Sequence, residues 1–520
     1  MHHHSYKLGV VGLTAIGIGT MVGSGWLFSS YYAARIAGSG SIFAWVLTSL
    51  FILILGLCLA EVASTFPKRG LMARLLVISH NKEFAFICTI ATWLGLTAVI
   101  ATEAEGSVQY LASISASFGH GLFVDHQLST LGLGLSVVLI IGFCLINFWG
   151  VKLMAQSNVV LTATKILIPV ITALTIIGSL FHPQNFTMPH GSLMPYGASS
   201  IFTAMIGAGM VYSFNGFQNI VSFSAEVGNP KRDIPLAMLF AIVITLGVYL
   251  LLEIAFIGAL PTTTLAGGWM NLNFTSPFVQ ITTLLNLNLI TIVLYVDAVT
   301  SPSGTGLIYT GSTSRMLTGM AKDGQMPNYF RKINAYNISR RSLLFTTALA
   351  LMFLFLFRSW ASLVTFLSMF YVISYMSIPI CLGALRTQRI VGDFHLPGAR
   401  FIAPVIFCFL SILFIFSGYP ATNYVAIFTT VTYGLYVLVQ IKLGTPWVKV
   451  ISHSCLMYLH IIALALLSSI GPRHYGGYGI LSYSSFFIAL TLVSIVTYYV
   501  AVYRLPLNNP LNSDEISANQ

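Results

Sequence analysis

"GIGTMVGSGWLF" occupies residues 17–28, inside the first apolar run of the chain. A helix crossing lipid keeps every backbone N–H and C=O paired within itself, because hydrocarbon offers no other partner. Glycine works against that continuity, since it has the most backbone freedom to lose. Gly17, Gly19, Gly23 and Gly25 nevertheless cluster here around Ser24. The stretch reads as a break in the first span, releasing N–H and C=O groups in the middle of an apolar segment.

The surroundings are those of a membrane protein. Of 520 residues, 56% are hydrophobic and 7% charged, which leaves too few polar side chains to cover a water-soluble globule. A hydrocarbon core about 30 Å thick takes roughly 20 apolar residues per helix, and such runs recur to the end of the chain. Helices are expected near 8–34, 42–65, 84–116, 131–149, 158–181, 199–224, 235–259, 278–301, 342–357, 360–384, 402–418, 423–441, 453–470 and 480–503, fourteen spans of an all-α integral membrane protein. With loops counted alternately, twenty of the 24 Lys and Arg fall on one side, among them Lys68, Arg69, Arg74, Lys231, Arg232, Arg331, Lys332, Arg340 and Arg341. That is the positive-inside bias: it places both termini in the cytoplasm and gives the net charge of +11 a topological meaning, with no nucleic-acid partner implied. The opening MHHHS lacks a charged n-region and a cleavage site, so the first span reads as a signal-anchor. Six cysteines without paired spacing and twelve histidines without an i, i+4 pair indicate no disulfide framework, metal site or cofactor.

The sixth apolar run carries the counterpart of the opening stretch. It reads IFTAMIGAGMVYSFNGFQNIVSFSAEVGNP, with Gly207, Gly209, Asn215, Gly216, Gln218 and Asn219 interrupting it. Glycine-broken segments at corresponding places in two halves point to an inverted repeat with a binding site near the membrane midplane. A repeat of five helices is odd, so the second copy runs upside down. The organisation expected is a tail at 1–5, repeats at 6–182 and 199–386, helices eleven and twelve at 401–442, helices thirteen and fourteen at 443–504, and a disordered cytoplasmic tail at 505–520. The competing reading is that the glycines only let helices approach closely. If both segments are unwound, their freed N–H groups can hold a carboxylate and their freed C=O groups an ammonium. Those are the two ends of an amino acid.

The chain resembles the amino acid, polyamine and organocation (APC) transporter superfamily. GIGTMVGSGWLF is similar to that family's helix-one signature, and AEVASTFPKRG (60–70) to its end of helix two. NFWGVKLMAQSNVVLTATKILIP (147–169) resembles helices four to five, YSFNGFQNIVSFSAEVGNPKRDIP (212–235) helix six and its loop, and SRMLTGMAKDGQMPNYFRKIN (314–334) the loop after helix eight. The SGW form of helix one and the fourteen-helix length resemble the branch of bacterial aspartate–proton symporter-like permeases. The resemblance implies the sodium–leucine symporter-like fold of five plus five inverted helices. It implies a substrate carboxylate at the N–H groups of Gly23, Ser24 and Gly25, with the Ser24 hydroxyl as a further donor. The amino group would meet carbonyls near Thr20 and Met21 and near Tyr212, Ser213 and Phe214. Asn215 and Gly216 continue the second break, with Asn215 as a side-chain selector and Tyr212 or Phe214 as a gate.

Ionisable residues inside apolar spans are costly and mark function by default. Lys165 lies in the fifth span; in related proton-coupled transporters a lysine here stands in place of a sodium ion and titrates. Its alternatives are a tether to helix-one carbonyls or a side chain snorkelling to the interface. Glu103 and Glu105 sit on different faces of the third span, so one of them at most faces the pathway as a relay or cation partner. Asp297 is expected to face the cavity or pair with Lys165, and Glu253 to make a helix-packing hydrogen bond. Glu61 and Glu226, at the cytoplasmic ends of helices two and six, are expected to pair with Lys or Arg. Arg35, at the outer end of helix one, either attracts an acidic side chain or anchors the helix at the interface.

Other chemistry lacks its motifs. GxxxxGK[ST], HExxH and GxSxG do not occur, so neither ATP-driven transport nor hydrolysis is indicated, and no catalytic residue is assigned. SPSGTG (301–306) reads as a flexible helix break, and Asn185 and Asn273 head N-x-T sequons. The expectation is a secondary transporter of the bacterial inner membrane that moves an amino acid with a proton, with a slight preference for acidic substrates. An amino acid/metabolite antiporter and a non-translocating nutrient sensor are the alternatives. Helices eleven to fourteen lie outside the repeat and offer a homodimer surface or a stiffened scaffold.

Overall fold

The computed structural model describes residues 8–505 except 68–70, 115–118, 120, 125–126, 150–153, 189–190, 266, 335–337, 391 and 393, and the side chains of 73, 154–161 and 225 are also outside it. The expected tails at 1–5 and beyond 505, Lys68, Arg69 and part of the 147–169 motif lie outside the described residues.

Both glycine-rich runs are broken helices. The first forms α1 (Val10–Met21) and α2 (Gly25–Ala37), with Val22–Ser24 between them. Gly38, at φ +59°, turns the chain into α3 (Ser41–Thr65), where a side chain would meet Pro195 and Trp269. A short α4 (Leu71–Ser79) precedes α5 (Lys82–Leu111), which starts where Asn81 Oδ1 accepts from the Phe84 N–H at 2.7 Å. Then come α6 (Thr130–Phe148), capped by Ser129, and α7 (Met154–Ser179). The sixth run is in three pieces, α8 (Gly197–Gly207), α9 (Met210–Ser213) and α10 (Asn219–Ser222). After it come α11 (Pro230–Ala259), α12 (Pro277–Leu284), α13 (Asn288–Lys322) and α14 (Arg340–Leu356). The rest is α15 (Trp360–Tyr375), α16 (Ser377–Thr387), α17 (Ala399–Ile415), α18 (Ala421–Lys442), α19 (Trp447–Ile470) and α20 (Tyr483–Arg504). Among the described residues the only sheet is the hairpin Phe123–Val124 with Gln127–Leu128.

One sequence expectation needs correction. SPSGTG is helical, and α13 runs through Pro302 to Lys322. Its hydroxyls are satisfied within the helix by carbonyls one turn back: Thr305 by Ser301, Thr310 by Gly306 and Thr313 by Tyr309. At Arg358–Trp360 the chain does divide into two helices, with Ser359 capping α15.

Among the described residues, nine helical stretches are long and apolar enough to cross a membrane. Broken helices fall short of that length, Gly25–Thr65 is a single stretch that folds back at Gly38, and the hydroxyl-rich α13 is absent from the nine. The lipid-facing surface is plain on α18, where Tyr424, Ile427, Val431, Leu435 and Leu438 form an exposed apolar stripe. The centre belongs to α5, buried along nearly its whole length and packed mainly on α13 and α15. α11 packs on α3, α1 and α7, while α17–α20 cover parts of α5, α15 and α16. The two breaks thereby come together beside α5.

Candidate functional site

α1 ends because Val22 turns extended (φ −85°, ψ 97°), and its N–H makes the last helical bond, to Ile18 O at 3.0 Å. α2 restarts at Gly25, with the Leu27 N–H bonded to Ser24 O at 3.1 Å. The break leaves the Ser24 N–H unpaired within its own helix. That donor goes to Glu103 Oε2 at 3.0 Å. Glu103 Oε1 accepts from the Tyr212 hydroxyl at 2.5 Å, so one carboxylate of α5 spans both breaks.

The donors form a directed chain. Trp360 Nε1 donates to Ser24 Oγ at 3.0 Å, Ser24 Oγ lies 3.0 Å from Tyr212 Oη, and Tyr212 donates to Glu103. Phe28 stacks on Trp360 with centroids 4.7 Å apart, which fixes the indole. Gly23 is required by closeness: a Cβ there would stand 2.6 Å from Glu103 Oε1.

The second break meets the first at Gly216. Its φ of +119° suits glycine alone, and a Cβ would lie 2.7 Å from the carbonyl carbon of Thr20. Thr20 Oγ1 lies 3.1 Å from Gly216 O, and 2.9 and 3.0 Å from Ile16 O and Gly17 O of its own helix. The Tyr249 hydroxyl of α11 lies between carbonyls of both breaks, 2.9 Å from Ser213 O and 3.3 Å from Met21 O. Ser213 Oγ lies 3.0 Å from Ser29 Oγ, and Gly25 packs against Ser213.

Lys165 projects from α7 to the end of α1. Its ammonium donates to Gly19 O at 3.1 Å and to Thr305 Oγ1 of α13 at 2.8 Å. It is 4% exposed, with Glu103 and Asp297 inside its electrostatic reach. No described ion pair joins it to either acid; the described pairs are Arg74–Asp323 and Arg386–Glu61. Asp297 is buried on α13 and pairs with no cation among the described residues.

The structure separates several residues that sequence reasoning grouped together. Phe214 packs between Trp45 and Tyr249, so of the two gate candidates Tyr212 is the one in contact with Ser24. Asn215 donates to Tyr309 and Tyr371 at 3.0 and 2.9 Å and accepts from Tyr375 and Gln218 at 3.2 and 2.8 Å. Its amide is committed on every side and acts as a hub. Arg35 is eleven residues beyond Ser24, about 16 Å along the helix. It donates to Met270 O and to the Tyr31 hydroxyl and lines an open pocket of about 480 Å³ with Tyr32, Tyr196, Ser199 and His474. Glu253 accepts from Ser41 and Trp45 at 2.5 and 2.9 Å. Glu61 holds Arg386 through two hydrogen bonds of 2.7 and 2.8 Å. Sequence reasoning missed Trp360, Tyr249, Tyr309, Tyr371 and Thr305.

Two unwound segments face each other across a buried carboxylate and a buried ammonium, inside a bundle with an apolar exterior. The amino acid permease family matches residues 8–441. The chain belongs to that family. It is 36% identical over 507 residues to the glutamate/serine transporter AimA of Bacillus subtilis (strain 168), covering 95% of this chain and 93% of that protein. It is 30% identical over 501 residues to the aspartate-proton symporter of the same organism, covering 94% and 95%. A branched-chain amino acid permease, BcaP, from that organism shares 23% over 350 residues, 63% of this chain and 70% of that one. This permease is an integral membrane amino acid transporter of the APC superfamily.

Proposed function

We propose that this permease carries an amino acid together with a proton into the bacterial cell by alternating access. Its fold is then the inverted five-plus-five repeat, 6–182 and 199–386, within fourteen spans and with both termini in the cytoplasm. The observation that carries the reading is the meeting of the two breaks: Thr20 with Gly216, and Met21 with Ser213 through Tyr249. Backbone groups there recognise the α-carboxylate and α-amine shared by all amino acids, so the side chain is read elsewhere. The preference for an acidic substrate rests on the names of the two relatives matched over nearly the whole chain.

Lys165 is the coupling residue in this reading. An ammonium bridges the broken first span to α13 through Gly19 and Thr305. Loss of its proton removes the charge and one donor, which loosens that bridge and lets the first span move. The test is uptake of labelled amino acid into proteoliposomes with and without an inward pH gradient. Wild type accumulates substrate with the gradient; Lys165→Ala loses the dependence on it. Persistence of that dependence removes Lys165 from the coupling. Uptake only with internal substrate identifies an exchanger, and no uptake in either condition identifies a non-transporting binder.

A further inference from the structure

The Ser24 N–H, the donor that the broken first span offers to a substrate carboxylate, is taken by a carboxylate of the protein itself. We propose that Glu103 holds the substrate's carboxylate seat in the empty carrier, and that an amino acid enters the seat only as Glu103 takes up a proton. The inference rests on the backbone-site and proton-symport reading above and names the group that ties occupancy to the proton.

The donor arrangement argues for exclusion. The chain Trp360, Ser24, Tyr212 runs in one direction and ends on Glu103. The Ser24 N–H ends on the same carboxylate. An arriving carboxylate needs these donors, and two ionised carboxylates cannot share them at hydrogen-bond distance in a dry site. A protonated Glu103 removes the conflict, because its O–H becomes a donor and its hold on the two donors weakens. The step is Glu103–COO⁻ plus H⁺ giving Glu103–COOH, with the proton drawn from water on the side where the substrate enters. On the other side the acid returns its proton to water and the carboxylate closes back on Ser24.

Of the buried acids Glu103, Glu105, Glu253 and Asp297, Glu103 is the one hydrogen-bonded to Ser24 and Tyr212. From α7 it faces Lys165, whose hydrogen bonds go to Gly19 and Thr305 and not to the seat. From the second break it faces Tyr212, from α11 Tyr249, from α13 Tyr309 and from α15 Tyr371. Asp297, a second acid, acts on Lys165, and its Oδ2 has no hydrogen-bond partner among the described residues. Gly23 leaves the Glu103 carboxylate flush against the backbone, which is the approach a substrate carboxylate would need.

The experiment is calorimetric binding to the purified full-length protein in two buffers of different ionisation enthalpy, repeated at acid and alkaline pH. Each standard amino acid is screened first, and the tightest binder is the probe. Wild type should take up about one proton per amino acid bound, with Kd rising about tenfold per pH unit on the alkaline limb. Glu103→Gln should bind with no proton uptake and a flat pH profile, and exchange of labelled substrate by reconstituted Glu103→Gln shows that it is folded. Glu103→Asp should restore proton uptake with weaker binding. Proton uptake that persists in Glu103→Gln, or that is absent in wild type, overturns the proposal. If no amino acid binds wild type, the backbone-site reading falls and the proposal with it. If Lys165→Ala remains gradient-dependent while the Glu103 variants behave as stated, the Lys165 assignment falls and the Glu103 assignment stands.

Discussion

Glu103 and Glu253 are two buried acids in apolar helices with nearly the same ligands. Each accepts a hydroxyl at 2.5 Å and an N–H at 2.9–3.0 Å, with a second serine hydroxyl, Ser24 or Ser30, also within reach. The difference is where the donors stand. Ser41 and Trp45 both belong to the intact helix α3, and Ser30 of α2 also reaches Glu253, so that acid joins α11 to intact helical segments as packing. Ser24 and Tyr212 stand at the two helix breaks, and a lysine ammonium lies nearby. Burial and hydrogen bonding do not distinguish a working acid from a structural one here. A backbone donor freed by a helix break, the Ser24 N–H, does.

The largest effect is expected where a substitution drives the two breaks apart. Gly216→Ala places a methyl 2.7 Å from Thr20 backbone atoms at a φ of +119°, a clash no rotamer change relieves. Uptake should fall at least a hundredfold, with the protein still recovered as a folded species by size-exclusion chromatography. Glu253 and its donors stand away from this contact, so the α3–α11 packing keeps its hydrogen bonds. Near-normal uptake by Gly216→Ala would mean that contact between the breaks is dispensable, and the basis for contrasting the two acids would go.

Glu253→Gln tests the other half of the comparison. A buried amide in place of the carboxylate turns one acceptor into a donor and leaves a mismatch with Ser41 or Trp45, a loss of about 1–3 kcal/mol. Thermal unfolding should shift downward while the pH profile of substrate binding stays that of wild type. A flat profile in Glu253→Gln, like that expected for Glu103→Gln, would show that any buried acid in this bundle carries the linked proton.

The breaks were legible in the sequence because glycine leaves a compositional mark where backbone is closely approached, by the Glu103 side chain at Gly23 and by the Thr20 backbone at Gly216. Lys165 was legible as a buried polar contact because an ammonium is costly in an apolar run, and the contact found is the tether to a helix-one carbonyl, Gly19 O. The partners that complete the site left no such mark. Trp360, Tyr249, Tyr309 and Tyr371 sit in helices where aromatic residues usually pack or face lipid, and only the fold turns their polar atoms toward Ser24, Ser213 and Asn215. Helical spacing separated Glu103 from Glu105 but could not say which one faced the break. The structure puts Glu103 on Ser24, while the Glu105 carboxylate oxygens make no hydrogen bond among the described residues. SPSGTG misled because proline and glycine signal an end in water-soluble helices, whereas a helix packed among others in a membrane tolerates them, as α13 does.

Arg35 sharpens the comparison from outside the site, with the smallest expected effect. Its guanidinium has five N–H donors, and three hydrogen bonds commit it to Met270 O and the Tyr31 hydroxyl. Arg35 lines an open pocket and is rooted about 16 Å further along the helix than Ser24. A charge there cannot take part in the seat that Glu103 holds, but it can favour the approach of an anionic side chain, and salt screens such attraction. Arg35→Ala should therefore raise the apparent KM for aspartate or glutamate about two- to fivefold at low ionic strength, roughly 0.4–1 kcal/mol, with less effect as salt is added. Serine uptake and the proton count on binding should not change. An equal loss for serine and glutamate would place Arg35 in the structural support of α2 through Met270. A loss of the linked proton would extend the Glu103 machinery along α2 and erase the boundary drawn here between the seat and its approach.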